Sequence, residues 1–596
     1  MLFVAESSIG SVAVGTGPSV AGQIHALAFD ADDPSTIYVG GDTFGISKYS
    51  ILDNSWQFDT VGLENYHGGD SMYVEDLLSV RASDVPLGAP HLFAATRGGI
   101  YCRVGSQWNL MTPPTTHGYG YTSNETGGFS KRMIQFSALA YDGSRYLYAG
   151  AGQARFDEKN PNTFYTLIPT DNYHYVLDGP QSQYSLWRYD LALPGGWTYV
   201  TDTDGLGPIR GLSSYTDEYG THHVAFATPS GVWDLQDDGT PELIELTSAE
   251  KMTPPPHLWS GNSWGVAFDD SGRLFILNYR GTGESETPGV YVADIMESTP
   301  PTFLGDVDSN IVVGTSLMSW ESYLKYIDPA HPGNGYVIDL TTLAVRSNPG
   351  GSTNIIIGSR DSNGPALGGG YLSAVLNSTQ GPETVVWHNM IRFTTWGTMN
   401  TLPLDANPDH ETTMNGDDFG WVGDDDPPEW GTGCPAITPT VEFGFSPHND
   451  QTLLAWMYAF PLLSTNGGVT WSQFYCTGSE LSGWEGSGCN EMSVADLAHL
   501  NDGSLAIACR DWGVWLNNGP NSNIYKKLFP HQNFNSSKIE SYLNDLYAVI
   551  ETTPDATLTN VTSMIARYSS STPSPEWSQI EHWNAFTDIP PHYIQY

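Results

Sequence analysis

Residues 441–474 read VEFGFSPHNDQTLLAWMYAFPLLSTNGGVTWSQF, and this stretch decides the fold. Short apolar runs alternate with compact polar breaks, which predicts strand, turn, strand, strand, tight turn, strand. The second tight turn is Ser464-Thr465-Asn466-Gly467-Gly468-Val469-Thr470-Trp471. Paired glycines supply the positive φ angles of a tight hairpin. The Ser, Thr and Asn side chains are placed to bond the turn backbone, and Trp471 opens the next strand. The structural turn residues are therefore Ser464, Asn466, Gly468 and Trp471.

Working outward, the same order recurs. From Ile24 the chain reads IHALAFDADDPSTIYVGGDTFGISKYSILDNSWQF, giving strands at Ile24 to Phe29, Thr36 to Val39 and Gly45 to Tyr49, and a fourth from Trp56. The turn from Ser50 to Trp56 keeps the Ser and the Trp but not the glycine pair. Further copies begin near 91, 134, 223, 264 and 494. The copy at 134 takes its outer strands from Ser185 to Tyr189 and Trp197 to Val200, after a long insertion. Residues 354–358 and 372–376 belong to another unit, and 538–580 form a degenerate last one around Trp577. Each unit runs apolar strand, D/N-x-G or D-x-P turn, apolar strand, short Gly/Asp break, then a G-[IV]-[YW] strand. Helical periodicity is nearly absent; only Ser536 to Ile550 also reads as a helix.

Four short strands per unit, at a period of roughly 45–85 residues, is the pattern of a β-propeller. A β-sandwich array also gives many short strands. The returning G-[IV]-[YW] strand at a fixed place in each unit favours the propeller. The expectation is an all-β chain folded as one large propeller, 1–596, of about seven to ten blades with long loop insertions. Two smaller propellers in tandem are the alternative.

The repeats resemble the Asp-box propeller superfamily, which includes sialidases, two-propeller xyloglucan hydrolases, sorting-receptor ectodomains and photosystem assembly factors. The pieces most similar to the xyloglucan hydrolases are Asp32-Asp33-Pro34, Ile37 to Asp42 and Ser464 to Trp471, with Asn466 in the usual Asp position. The resemblance is to the repeat and covers only 441–474 well. It implies a fold, and propellers of one shape host unrelated functions. If it extends to activity, it implies Asp42 as base and Asp511 as acid of a glycoside hydrolase on a β-glucan-type polysaccharide, each following a strand. Asp at a strand end is also the ordinary turn residue of these repeats. A sialidase would need three arginines around the substrate carboxylate, and no start motif of that kind is present.

Composition narrows the partners. Asp plus Glu number 66 of 596 residues, an ordinary share, but Lys plus Arg number only 23, for a formal charge of −43. A surface short of cations opposes nucleic acid and anionic membranes, which select basic patches. Gly, Ser, Thr, Asn and Tyr take their place, as on secreted and virion-surface proteins. No signal peptide and no transmembrane run is visible. The expected partner is a glycan or a protein surface, or other subunits of an assembly, which includes a purely structural role in a viral particle or fibre.

Two loops carry the candidate binding residues. TTHGYGYTSNETGGF (115–129) holds Tyr119 and Tyr121. The insertion 156–184 holds Tyr165, Tyr173 and Tyr175. Their rings offer flat apolar faces to sugars, and Tyr-rich loops serve protein contacts as well. The acidic run 405–429 offers Asp417, Asp418, Asp424, Asp425 and Asp426 as oxygen ligands for Ca²⁺, without the spacing of an EF-hand; a solvated acidic loop is the alternative. His222-His223 reads as a strand-edge pair. Of five cysteines, Cys476 and Cys489 flank a short loop and are candidates for a disulfide, with Cys434 a competing partner. Cys102 and Cys509 lie in strand-like runs as buried thiols.

Overall fold

The computed structural model describes residues 24–584 apart from 42–44, 64–71, 112–118, 124–135, 152–172, 178–184, 238–249, 252–262, 279–288, 320–337, 362–368, 394–441, 487–493, 510–512, 528–534, 553–561, 570–576 and shorter breaks. The described chain is nearly all strand, with one short 3-10 turn at Pro382–Thr384. The strands form antiparallel four-stranded sheets in chain order, the blades of a β-propeller. The chain divides into two compact units, a larger one of 22–46 and 59–473 and a smaller one of 1–21, 47–58 and 474–596.

In the larger unit, seven inner strands begin the blades: Ile24–Phe29, Val74–Ser79, Phe136–Tyr141, Gly211–Thr216, Ser263–Phe268, Ile338–Ser347 and Glu442–Phe445. Each packs beside the next, and the seventh packs beside the first. That closure has two visible contacts. A Cβ on Gly444 would lie 2.8 Å from Leu27 Cδ2. His448 Nε2 lies 2.8 Å from the carbonyl of Asp30. Blade 6 carries an extra hairpin, Ile311–Val313 with Ser316–Met318, whose first strand runs parallel to the blade's outer strand Trp387–Phe393.

The hairpin Ile46–Ser50/Ser55–Phe58 holds the first Ser-to-Trp turn. There Ser50 Oγ donates to Asp53 Oδ2 at 2.8 Å, and Asn54 takes φ 48°. The rest of the smaller unit has two sheets. The first, Val494–His499, Leu505–Cys509, Gly513–Asn517 and Ile524–Lys527, is widened by the hairpin Cys476–Ser479/Gly483–Gly486. The second is Asn535–Tyr542, Asp545–Thr552, Thr562–Ser569 and Trp577–Asn584. Ser536 to Ile550, open to a helical reading from sequence, is thus a strand hairpin. Its sheet pairing satisfies the backbone groups that a helix would otherwise bond internally.

The core lies between sheets. Apolar residues at alternate positions point to neighbouring blades, as in the cluster that joins Trp264, Phe275 and Tyr291 of blade 5 to Ile355, Leu372 and Trp387 of blade 6. Two glycines set how closely blades approach. Gly40 and Gly150 hold equivalent places in their second strands, opposite Ala26 and Ala138. A Cβ on Gly40 would sit 2.4 Å from Val74 Cγ1, and one on Gly150 would sit 2.5 Å from Ile209 Cγ2. Those neighbours belong to the start of the next blade. Gly150→Ala is therefore expected to cost about 1–3 kcal/mol by overpacking, read as a lower unfolding midpoint.

The turn between the first and second strands repeats one device. A side-chain oxygen at the strand end accepts two or three backbone N–H groups: Asp30 from Asp32 and Asp33, Asp142 from Ser144, Arg145 and Tyr146, Asp269 from Ser271 and Arg273, Asn449 from Gln451 and Thr452. These are Asx turns, which favour Asp and Asn because the short side chain replaces a backbone acceptor.

Candidate functional site

The other end of the blades, where the inner strands start, collects the chemistry. Four of the seven inner strands open with a one-residue bulge, at His25, Glu75, Ser137 and Trp264, and the sixth carries one at position 341, after three paired residues. A bulge adds one unpaired residue and increases the local twist, which re-aims its side chain. Here it places polar groups in otherwise apolar strands. His25, Glu75 and Ser137 are each 1% exposed. His25 Nδ1 lies 3.5 Å from Glu75 Oε2, linking blades 1 and 2. Ser137 Oγ donates to the carbonyl of Ile209 at 2.5 Å, linking blades 3 and 4. The Arg210 guanidinium stacks 4.6 Å over the Trp264 ring, linking blades 4 and 5. Burial makes this belt a set of blade-to-blade ties at the start of the inner strands.

The two tyrosine loops come together as one ribbon. Tyr119–Ser123 precedes the inner strand of blade 3, and Tyr173–Leu177 lies between its second and third strands. Both loops leave blade 3 at the end where its inner strand starts. They pair as an antiparallel two-stranded ribbon, with Tyr121 opposite Tyr175, Tyr119 opposite Leu177 and Tyr173 opposite Ser123. Partners in an antiparallel register share a face, and alternate residues return to it. Tyr119, Tyr121, Tyr173 and Tyr175 therefore occupy one face, on three successive rungs about 7 Å apart. Tyr165 lies outside the described residues.

Other predicted residues fall as follows. Asp42 and Asp511 lie outside the described residues, as do Trp471, Cys434, Cys489 and all of Asp417, Asp418, Asp424, Asp425 and Asp426. The strands Thr36–Gly41 and Leu505–Cys509, which lead to the two candidate acids, are each second in their sheet and belong to separate units. Among the described residues no group of three His, Cys, Asp or Glu could hold a metal ion. The turn that begins at Ser464 is closed by that side chain. Its buried Oγ accepts from Gly468 N at 2.9 Å and lies 3.0 Å from Asn466 Oδ1, with φ 72° at Gly467 and 88° at Gly468. Cys102 is a buried free thiol, pushed up to about 11 by burial.

His222 and His223 are more than a strand edge. His223 Nδ1 lies 3.1 Å from Asp234 Oδ2, and its Nε2 lies 3.7 Å from Asp217 Oδ2. His222 Nδ1 lies 3.4 Å from Asp142 Oδ2. Both histidines sit at the turn end of blade 4, away from the ribbon.

No protein-family model matches the chain, and no curated protein matches it. Solved structures do. An ancestral GH74 enzyme is 14% identical over 95% of this chain and 63% of its own, with a TM-score of 0.56. The GH74 enzyme of Niastella koreensis is 13% identical over 96% of this chain and 74% of its own, with a TM-score of 0.52. The chain thus spans less than two thirds of the length of the first. At these identities the likeness shows the β-propeller fold. Among the described residues no helix is long and apolar enough to cross a membrane.

Proposed function

We propose that this chain is an extracellular or virion-surface propeller that recognises a neutral glycan on the tyrosine ribbon of blade 3. The observation that carries this reading is the register, which brings four tyrosines from two distant loops onto one face. A row of aromatic rungs suits an extended saccharide, whose sugar rings have flat apolar faces. Neither ribbon strand, YGYTS or YHYVL, contains Lys or Arg. That composition, with the −43 formal charge, disfavours sialylated or uronic-acid ligands, which select cations. On this reading the seven-blade ring is one propeller that displays the ribbon, and the two further sheets are part of a second.

Screening on an array of neutral and acidic glycans, followed by calorimetry on a binder, tests the reading. Tyr121→Ala and Tyr175→Ala are expected to weaken binding about 30-fold each, the effect of removing an aromatic anchor worth about 2 kcal/mol. Binding unaffected by both substitutions, or binding of a protein surface alone, would contradict it. The glycoside-hydrolase reading stands second, favoured by the equivalent strand ends that lead to Asp42 and Asp511. It requires their carboxylates within about 5–10 Å of each other and release of reducing ends from the bound polysaccharide.

A further inference from the structure

We propose that the turn end of blade 4 is a proton-operated latch, in which His223 clamps the first turn of the blade to its third strand. The geometry is a three-part bridge. Asp217 sits at the turn; one of its carboxylate oxygens accepts from Tyr219 N at 2.9 Å and Thr221 N at 2.7 Å. Its other oxygen faces His223 Nε2, while Asp234 of the third strand faces Nδ1. The three side chains are 4%, 6% and 10% exposed. A charged imidazolium gives both carboxylates a positive partner, through a hydrogen bond to Asp234 and an ion-pair contact at 3.7 Å to Asp217; a neutral ring carries no charge and donates from one nitrogen only. Loss of the proton therefore leaves one buried carboxylate facing a lone pair.

The surroundings offer little to replace that proton. On its own face of the strand His223 is met by Tyr215, with ring centroids 6.4 Å apart, while His222 and Thr216 pair with each other on the opposite face. Asp142 approaches from blade 3, where Thr216 Oγ1 donates to its carbonyl at 2.5 Å. Burial first, then the negative charges of Asp217, of Asp269 in blade 5, of Glu218 in the turn and of Asp270, hold the Tyr215 hydroxyl above its ordinary range. The nearby cation of blade 5, Arg273, is engaged by Asp269 at 2.7 Å. Burial alone would lower the His223 value, but the bond to Asp234 and the charges of Asp234 and Asp217 outweigh it and raise it.

The sign follows from that rise. The latch contributes fully below the unfolded histidine value of about 6.5 and is lost as pH climbs through the raised folded value. The loss would reach blade 5, because the Tyr215 ring lies 5.8 Å from that of Phe268 and against Gly272, where a Cβ would meet it at 2.9 Å.

The test is amide hydrogen exchange on the full chain from pH 5 to 9, corrected for the intrinsic pH dependence of exchange. In the wild type, protection over 211–237 should fall several-fold across the upper part of that range, while protection over the inner strand 74–79 holds. His223→Gln should remove the dependence, leaving low protection throughout. Should that variant fail to fold, Asp217→Asn serves instead, and it should move the loss of protection to lower pH. Constant wild-type protection over 211–237, or an unshifted profile in Asp217→Asn, would overturn the latch. The outcome is independent of glycan binding, so a ribbon that binds nothing leaves this result standing.

Discussion

Trp108→Ala is expected to destabilise the larger unit by about 3–5 kcal/mol, the range for losing a buried aromatic side chain. Trp108 opens the late part of blade 2 and is 1% exposed. It packs with Ile46, Leu63, Val74 and Tyr101, a cluster shared by blades 1 and 2. Its indole N–H donates to the carbonyl of Asp59 at 2.6 Å, and its backbone N–H donates to Val61 at 2.8 Å. The chain that has just left blade 1 is thereby fastened to blade 2. Gly62 makes the fit possible: it takes φ 102°, and a Cβ there would sit 2.1 Å from the Trp108 carbonyl oxygen. Trp108→Phe keeps much of the apolar area but drops the indole bond, so a smaller loss of about 1–3 kcal/mol is expected. Denaturant unfolding checks both, as a lowered midpoint at similar slope. An unchanged midpoint in Trp108→Ala would remove the tryptophan from the set of blade ties.

The same tie recurs, and it shows what a sequence can and cannot yield. Trp197 donates to the carbonyl of Met111 at 2.9 Å, and Trp387 to that of Leu304 at 2.8 Å. The tryptophans at 108 and 197 are legible as repeat marks because they return at one place in each unit. Their partners are not, since each lies 49 or 86 residues upstream in the chain leaving the preceding blade. Strand positions are legible for a local reason: the second strands are buried on both faces and read as short apolar runs. The Asp turns were legible because one side chain bonds its own neighbours. The belt of His25, Glu75 and Ser137 left a faint signal, a polar residue second in an otherwise apolar strand. Its meaning depends on a bulge and on a partner in another blade, and neither has a local sequence mark. Gly40 reads as a break after the second strand, whereas it is a contact point within that strand, as Gly150 is in blade 3. The tyrosine loops are legible by composition; their tyrosines alternate, at 119 and 121 and at 173 and 175, but nothing local marks a pairing partner 50 or more residues away.

Arg103→Ala is expected to cost about 2–4 kcal/mol, because it leaves a buried carboxylate without its cation. Arg103 lies on the third strand of blade 2. Its Nε and one terminal nitrogen donate to the two oxygens of Asp59 at 2.7 and 3.2 Å, a bidentate pair. The arginine side chain is 23% exposed and the aspartate side chain 11%, so the expected cost is set below that of a fully buried pair. Asp59 is a junction: its N–H donates to Ile46 at 2.8 Å, and its carbonyl takes the Trp108 indole. The guanidinium also lies 5.8 Å from the Tyr38 ring, whose hydroxyl reaches Asp30 Oδ2 at 3.3 Å. Burial pushes that hydroxyl well above the usual tyrosine range, so it stays a neutral donor. Arg103→Lys keeps the charge but not the planar fork, and a loss of about 1 kcal/mol fits that difference. Asp59→Asn is neutral and removes the need for a cation. The double variant Asp59→Asn/Arg103→Ala should therefore lose less than the sum of the two single variants. Strict additivity would mean that the pair is a surface contact of little consequence, and that the tryptophan holds this junction without it.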